Sequence, residues 1–193
     1  MTNKTKKIAI VGRIASGKSY FLNTLASLGY KTINMDEYVL NIYQNDLAFI
    51  KLIQCSIGEF LIKDGRISKQ VLKDWLALDY NNFETLERLL YPYLKTKLLQ
   101  ETFDFVEIPI LFTQITDFSD LFDEIWNMSI CPKKRKEFVN KCFVEKSFFE
   151  YLDKKNNYKW TKNEFFRNKR VVNIPMRSRD TKQKIMKILQ KYK

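Results

Sequence analysis

The stretch Gly12-Arg13-Ile14-Ala15-Ser16-Gly17-Lys18-Ser19 follows the apolar run Ile8-Ala9-Ile10-Val11 and leads into Tyr20-Phe21-Leu22-Asn23-Thr24-Leu25-Ala26-Ser27-Leu28. It satisfies the phosphate-loop pattern G-x-x-x-x-G-K-[ST] in the setting that the pattern requires, a short buried strand before it and an apolar-periodic helix after it. Gly12 and Gly17 admit backbone angles closed to other residues, so successive N–H groups turn inward around a phosphate chain. The helix that starts near Gly17 adds free N–H groups and the positive end of its dipole. On this reading Gly12, Ala15, Ser16, Gly17, Lys18, Ser19 and Tyr20 hold the nucleotide. Lys18 reaches the β- and γ-phosphate oxygens as a point charge, and the Ser19 hydroxyl ligates the accompanying Mg²⁺.

Outward from the loop, composition sets the frame. The chain has 193 residues, 45% hydrophobic and 29% charged, which is ordinary for one folded domain with room for a small insertion. The net charge of +12 suits an anionic partner and does not choose among nucleic acid, acidic lipid and polyphosphate. Histidine is absent. Acid–base work therefore falls to carboxylates, lysine or water, and no histidine-containing zinc site is available. Cys55, Cys131 and Cys142 show no C-x-x-C spacing and read as reduced, partly buried thiols of a cytosolic protein. No segment resembles a signal peptide or a membrane span, so a soluble, cytoplasmic protein is expected.

The remaining elements follow in order. Residues 7–11 and 31–35 read as strands, and Gly29 stands where a helix C-cap belongs. Ligands gather at the carboxyl ends of strands in open α/β sheets, which makes Asn34, Asp36 and Glu37 candidates for the site; capping of the next helix is the competing reading. Residues 46–61 look helical, Asp64-Gly65 is a turn, and Ser68 is an N-cap for residues 69–78. A long amphipathic segment spans residues 83–100, with a kink or a restart expected at Pro92. In the strand of residues 103–111, Glu107 is the single acid in an apolar run and is a candidate for the Mg²⁺ shell, against a purely structural carboxylate. Residues 124–130 and 169–174 complete the strands, and residues 180–192 form a basic C-terminal helix. The dense basic stretch from Lys133 reads either as a solvated helix face or as a cationic lid, with Arg135, Lys141, Lys146 and Arg167 as candidate γ-phosphate cations. The pattern describes an α/β fold with a parallel sheet, helices on both faces and a helical insertion near residues 48–97.

These residues carry a resemblance. Ile8-Ala9-Ile10-Val11-Gly12-Arg13-Ile14-Ala15-Ser16-Gly17-Lys18-Ser19, then Leu28-Gly29 and Ile33-Asn34-Met35-Asp36, are similar to the start of dephospho-CoA kinases. Ile57-Gly58, residues 64–73 from Asp64-Gly65-Arg66, Leu86-Glu87-Arg88-Leu89-Leu90-Tyr91-Pro92, Glu107-Ile108-Pro109-Ile110-Leu111-Phe112 and Val171-Val172-Asn173 resemble further motifs of that family in the same order. The resemblance implies a three-layer P-loop kinase fold with a small basic lid, about residues 133–168. It also implies transfer of the γ-phosphoryl of ATP to the ribose 3′-hydroxyl of dephospho-CoA, with Mg²⁺, in a protein expected to be a monomer that binds neither membrane nor nucleic acid. Asn34 stands where the family has the acid that orients or deprotonates the hydroxyl; Asp36 keeps the second acid of that motif, and Lys18, Asp36 and Asn34 are the catalytic candidates. The alternatives are another small-molecule P-loop kinase, acting on a nucleoside or nucleotide, and a degenerate nucleotide- or nucleic-acid-binding protein without turnover.

Overall fold

The structure, a computed structural model, describes residues 6–139 and 165–192. Ile8, Ala9, Ile10 and Val11 are all buried, the pattern of a strand covered on both faces, and they form β1 (Ile8–Val11). The chain continues through α1 (Lys18–Ser27), β2 (Thr32–Asn34), α2 (Met35–Asn45), α3 (Leu47–Ser56), β3 (Ile62–Lys63), β4 (Arg66–Ile67), α4 (Lys69–Leu78) and α5 (Tyr80–Gln100). Then come β5 (Phe105–Glu107), β6 (Glu124–Ser129), α6 (Pro132–Val139), β7 (Phe165–Phe166), β8 (Lys169–Pro175) and α7 (Lys182–Tyr192). The part of the expected lid within residues 140–164, Lys141 and Lys146 included, lies outside the described residues.

Two compact units result. The first is built from Met1–Asn34, Thr102–Phe112 and Phe118–Lys193, the second from Met35–Glu101 and Thr113–Asp117.

In the first unit the sheet order is β2-β5-β1-β6-β8-β7. All neighbours pair in parallel except β7, which is antiparallel to β8. This is the mostly parallel α/β architecture that the alternation of strands and helices implies. The register aligns Asn34 and Ile10 with Glu107, and Val11 with Asn127, which in turn aligns with Asn173. One edge of the sheet therefore carries the carboxyl ends of the five parallel strands, and the phosphate loop leaves from β1 within it. Beneath it the core gathers Ile8 and Ile10 with Phe21, Leu22 and Leu25 of α1 and Ile185, Ile188 and Leu189 of α7. Trp126 is fully buried and meets Phe21, Phe105 and Tyr192 edge to face, at centroid distances of 6.2, 5.5 and 6.0 Å. After α1, Gly29 has φ 88°, and the N–H groups of Gly29 and Tyr30 bond to the carbonyls of Ala26 and Leu25. That is the Schellman pattern expected of a helix-ending glycine.

The second unit is helical. Ser68 caps α4 by accepting a bond from the Val71 N–H, as its position predicts. The helix expected from residue 83 starts earlier and runs without a break from Tyr80 to Gln100, with Pro92 inside it. Proline removes a single N–H, and the apolar stripe of Leu86, Leu90, Leu94 and Leu98, all buried, holds the two halves in one helix. Asp64-Gly65 does more than turn the chain: it joins β3 to β4, a hairpin of two residues on each side. Cys55 and Cys131 are exposed free thiols, against the expectation of partial burial. Cys142 lies outside the described residues. No described helix is long and apolar enough to cross a membrane.

Asp46 ties this unit together. It caps α3 by accepting from the Phe49 N–H at 3.1 Å, accepts from the Tyr93 hydroxyl at 2.7 Å and pairs with Lys97 Nζ at 2.8 Å. Desolvation pushes its carboxyl upward, and the bonds from Lys97, Tyr93 and the Phe49 N–H outweigh it, holding the pKa at about 2. A depressed carboxyl contributes stability above its unfolded pKa, near 4, and loses it as pH falls toward 2. With Lys97 partly exposed the contribution is about 1 to 2 kcal/mol. Asp46→Asn keeps the cap and removes the charge, so its thermal midpoint should fall below wild type at pH 7 and converge with it toward about pH 2. Thermal unfolding across that range tests this; a gap independent of pH refutes it.

Candidate active site

The loop of residues 12–19 is held by its own backbone geometry and by its close approach to β6. A Cβ on Gly12 (φ 144°) would lie 2.8 Å from the Met128 carbonyl oxygen, so only glycine lets the loop rise this close to β6. Ala15 has φ 63° and Gly17, the N-cap of α1, has φ 82°. These left-handed residues give the chain the tight curl of a phosphate-binding nest. The Ser16 N–H closes the curl on the Arg13 carbonyl at 3.1 Å, and Ser16 itself is fully buried.

Lys18, Ser19 and Glu107 converge. Lys18 opens α1 and is nearly buried; its Nζ donates to the Arg13 carbonyl at 3.4 Å and lies 3.8 Å from Glu107 Oε1. The Ser19 hydroxyl donates to the same Glu107 oxygen at 3.4 Å. Glu107 ends β5 at 6% exposure, and its strand places it directly beside β1. A hydroxyl and a carboxylate are hard oxygen donors, the set that suits Mg²⁺. Among the described residues no group of three or more acids or cysteines could hold a metal without help.

The other candidates are placed as follows. Asn34 ends β2 in register with Glu107, at the same sheet edge. Asp36 and Glu37 are exposed and stand in the first turn of α2. Asp36 is therefore inside the helix and is not its N-cap. Tyr20, in the first turn of α1, is 52% exposed.

Of the cations, Arg135 reaches the loop: from α6 its Nε donates to the Ile14 carbonyl at 3.1 Å. The other cations of that helix, Lys133, Lys134 and Lys136, are exposed, as a solvated face demands. Arg167 does not belong to the site. It sits in the two-residue turn between β7 and β8, at the amino end of β8, while the phosphate loop leaves the opposite edge of the sheet. There its guanidinium stacks 3.9 Å from the Phe112 ring centroid, a cation–π contact.

Sequence reading missed two groups. Asn127 Nδ2 donates to Asn173 Oδ1 at 2.7 Å across the strand ends beside the loop; a lone amide inside the apolar run of β6 was the available signal. Arg179, fully buried behind the loop, donates to the carbonyls of Ser16, Ser129 and Ile174. In the run Met176-Arg177-Ser178-Arg179 nothing distinguishes it from a solvated cation.

Comparison with known proteins covers the loop and most of the candidate residues. A family model described as dephospho-CoA kinase matches residues 6–141, a span that includes the loop, Asn34, Asp36, Glu107 and Arg135. The dephospho-CoA kinase of Streptococcus mutans is 28% identical over 138 residues, 67% of this chain and 69% of that protein. That of Rickettsia bellii is 35% identical over 115 residues, 54% of this chain and 56% of that protein. The solved dephospho-CoA kinase from Campylobacter jejuni shares the fold, with a TM-score of 0.62 at 20% identity and 96% of each chain covered. The chain belongs to the dephospho-CoA kinase family, a family of ATP-dependent phosphotransferases.

Proposed function

We propose that this chain transfers the γ-phosphoryl of ATP to the ribose 3′-hydroxyl of dephospho-CoA, releasing CoA and ADP. The observation that carries the reading is the convergence of Lys18 and Ser19 on Glu107 at the mouth of a preformed phosphate loop. Phosphoryl transfer needs little covalent chemistry from the protein; it needs positioning and charge. The bond from the γ-phosphorus to the β-phosphate oxygen breaks, and a bond to the 3′-oxygen forms. Loop N–H groups and Lys18 meet the charge on the phosphates. Arg135, already hydrogen-bonded to the loop, is the cation assigned to the same end of the nucleotide. Ser19 and Glu107 are the residues to hold Mg²⁺, which when bound neutralises β- and γ-phosphate oxygens.

The hydroxyl proton needs an acceptor. Asn34 stands where the family has an acid, and an amide cannot take a proton. We assign that role to Asp36 and give Asn34 the task of orienting the hydroxyl. A second reading, nucleotide binding without turnover, is favoured by Asn34 alone. ADP release by the purified protein with Mg-ATP, with and without dephospho-CoA, separates them. Release that depends on dephospho-CoA is the expected result. ATP binding with no turnover favours the second reading, and turnover with a nucleoside in its place moves the acceptor to another class.

A further inference from the structure

Arg179 is the most deeply buried charged residue among those described, at 2% exposure. It follows β8, 163 positions after the loop residue that it touches. Its guanidinium is a fork with three prongs in use. Nη2 donates to the Ser16 carbonyl at 2.7 Å and to the Ser129 carbonyl at 3.0 Å, and Nε donates to the Ile174 carbonyl at 3.2 Å. Nη1 lies 3.1 Å from the point where Gly17 would carry a Cβ. Ser129 and Ile174 belong to the carboxyl ends of β6 and β8, so the arginine pins the loop to the sheet edge from behind.

Two physical consequences follow. In a planar trans peptide the C=O and the N–H point in opposite directions. The Ser16 carbonyl faces Arg179, so the N–H of Gly17, in the same peptide unit, faces away from the sheet, on the side where the loop receives an anion. A donor on the carbonyl also polarises the peptide and strengthens that N–H as a donor. The second consequence concerns charge. Arg179 forms no ion pair with any described carboxylate, and an isolated buried charge is costly unless something compensates it. Burial draws its pKa down to about 10, which leaves it cationic at neutral pH.

We propose that Arg179 is a positioning residue for phosphate binding: it fixes the Ser16–Gly17 peptide with its N–H toward the bound polyphosphate, and that polyphosphate supplies its missing countercharge. The inference rests on the assignment of residues 12–19 as the nucleotide phosphate site. It makes the anion site depend on a residue outside both the loop and the family-matched span.

The test compares wild type, Arg179→Met and Arg179→Lys by calorimetric binding of Mg-ATP and of inorganic tripolyphosphate, well below each protein's thermal midpoint. Arg179→Met should weaken both ligands by about tenfold or more. Arg179→Lys keeps the charge and loses the fork, so it should recover part of the affinity and remain about threefold weak. A merely structural arginine gives another pattern: folded Arg179→Met, a lower midpoint and wild-type affinities. That pattern overturns the proposal. Should Arg179→Met fail to fold, Arg179→Lys decides, since wild-type affinity for both ligands refutes the inference and a loss shared by both supports it. Wild type that binds neither ligand overturns the loop assignment and this inference together. Wild type that binds both, with unchanged variants, overturns this inference alone.

Discussion

Lys18→Ala is expected to lower kcat by about 10³-fold or more in a chain that still folds. Lys18 is nearly buried at the first turn of α1, with its ammonium between the Arg13 carbonyl and Glu107. An ammonium held there by two contacts needs little reorganisation when charge develops on the transferring phosphoryl, and such preorganised charge is worth most in a site of low dielectric. The same substitution takes a countercharge from Glu107, at a cost of about 3 kcal/mol if the pair behaves as a buried one. The double variant Lys18→Ala/Glu107→Gln separates these effects. It should recover much of the lost midpoint and none of the lost turnover. Steady-state ADP release beside thermal unfolding reads both, and Lys18→Ala with turnover within tenfold of wild type would sink the phosphate-loop assignment.

The reach of the sequence follows a physical division. The phosphate loop was legible because its chemistry is local: two glycines, a lysine and a hydroxyl at fixed spacing between a strand and a helix. The strand β1 was legible for a related reason, since a strand covered on both faces is apolar throughout. Glu107 stood out as an acid in an apolar run, and the register sets it beside Ile10 and Asn34 at the end of β5. Features that depend on distant partners were not legible. Whether Pro92 breaks a helix depends on what α5 packs against, and its buried leucines keep it whole. Arg167 and Arg179 illustrate the same limit in opposite directions. Twelve positions apart in one basic region, they read alike as cations. Yet Arg167 turns a hairpin at the amino end of β8 with φ 47°, a conformation that no arginine advertises, and Arg179 is buried behind the loop, where the carbonyls of Ser16 in the loop and of Ser129 and Ile174 in the strands accept from it.

Asp36→Asn should lower kcat by about 10² to 10⁴ with little change in the KM for ATP. The expectation comes from proton balance. The 3′-hydroxyl must lose a proton as its oxygen bonds to phosphorus, the chain has no histidine, and Asn34 is an amide. Asp36 is exposed in the first turn of α2, where a carboxylate is also favoured by the helix dipole, an effect of only about 0.5 kcal/mol. That difference in scale makes the variant decisive: a proton acceptor costs turnover by orders of magnitude, and a dipole partner costs a small fraction of stability and no turnover. Asn34→Asp supplies the complementary measurement. Its register beside Glu107 would set two carboxylates on adjacent strand ends, and like charges there favour keeping one of them protonated. With Asp36 as the acceptor, Asn34→Asp should change kcat by less than about tenfold. A large gain from Asn34→Asp together with an unchanged Asp36→Asn would reverse the assignment: the native chain would then work without a carboxylate base, its hydroxyl proton passing to phosphate or water, and residue 34 would mark where this sequence gave up rate that a single carboxylate restores.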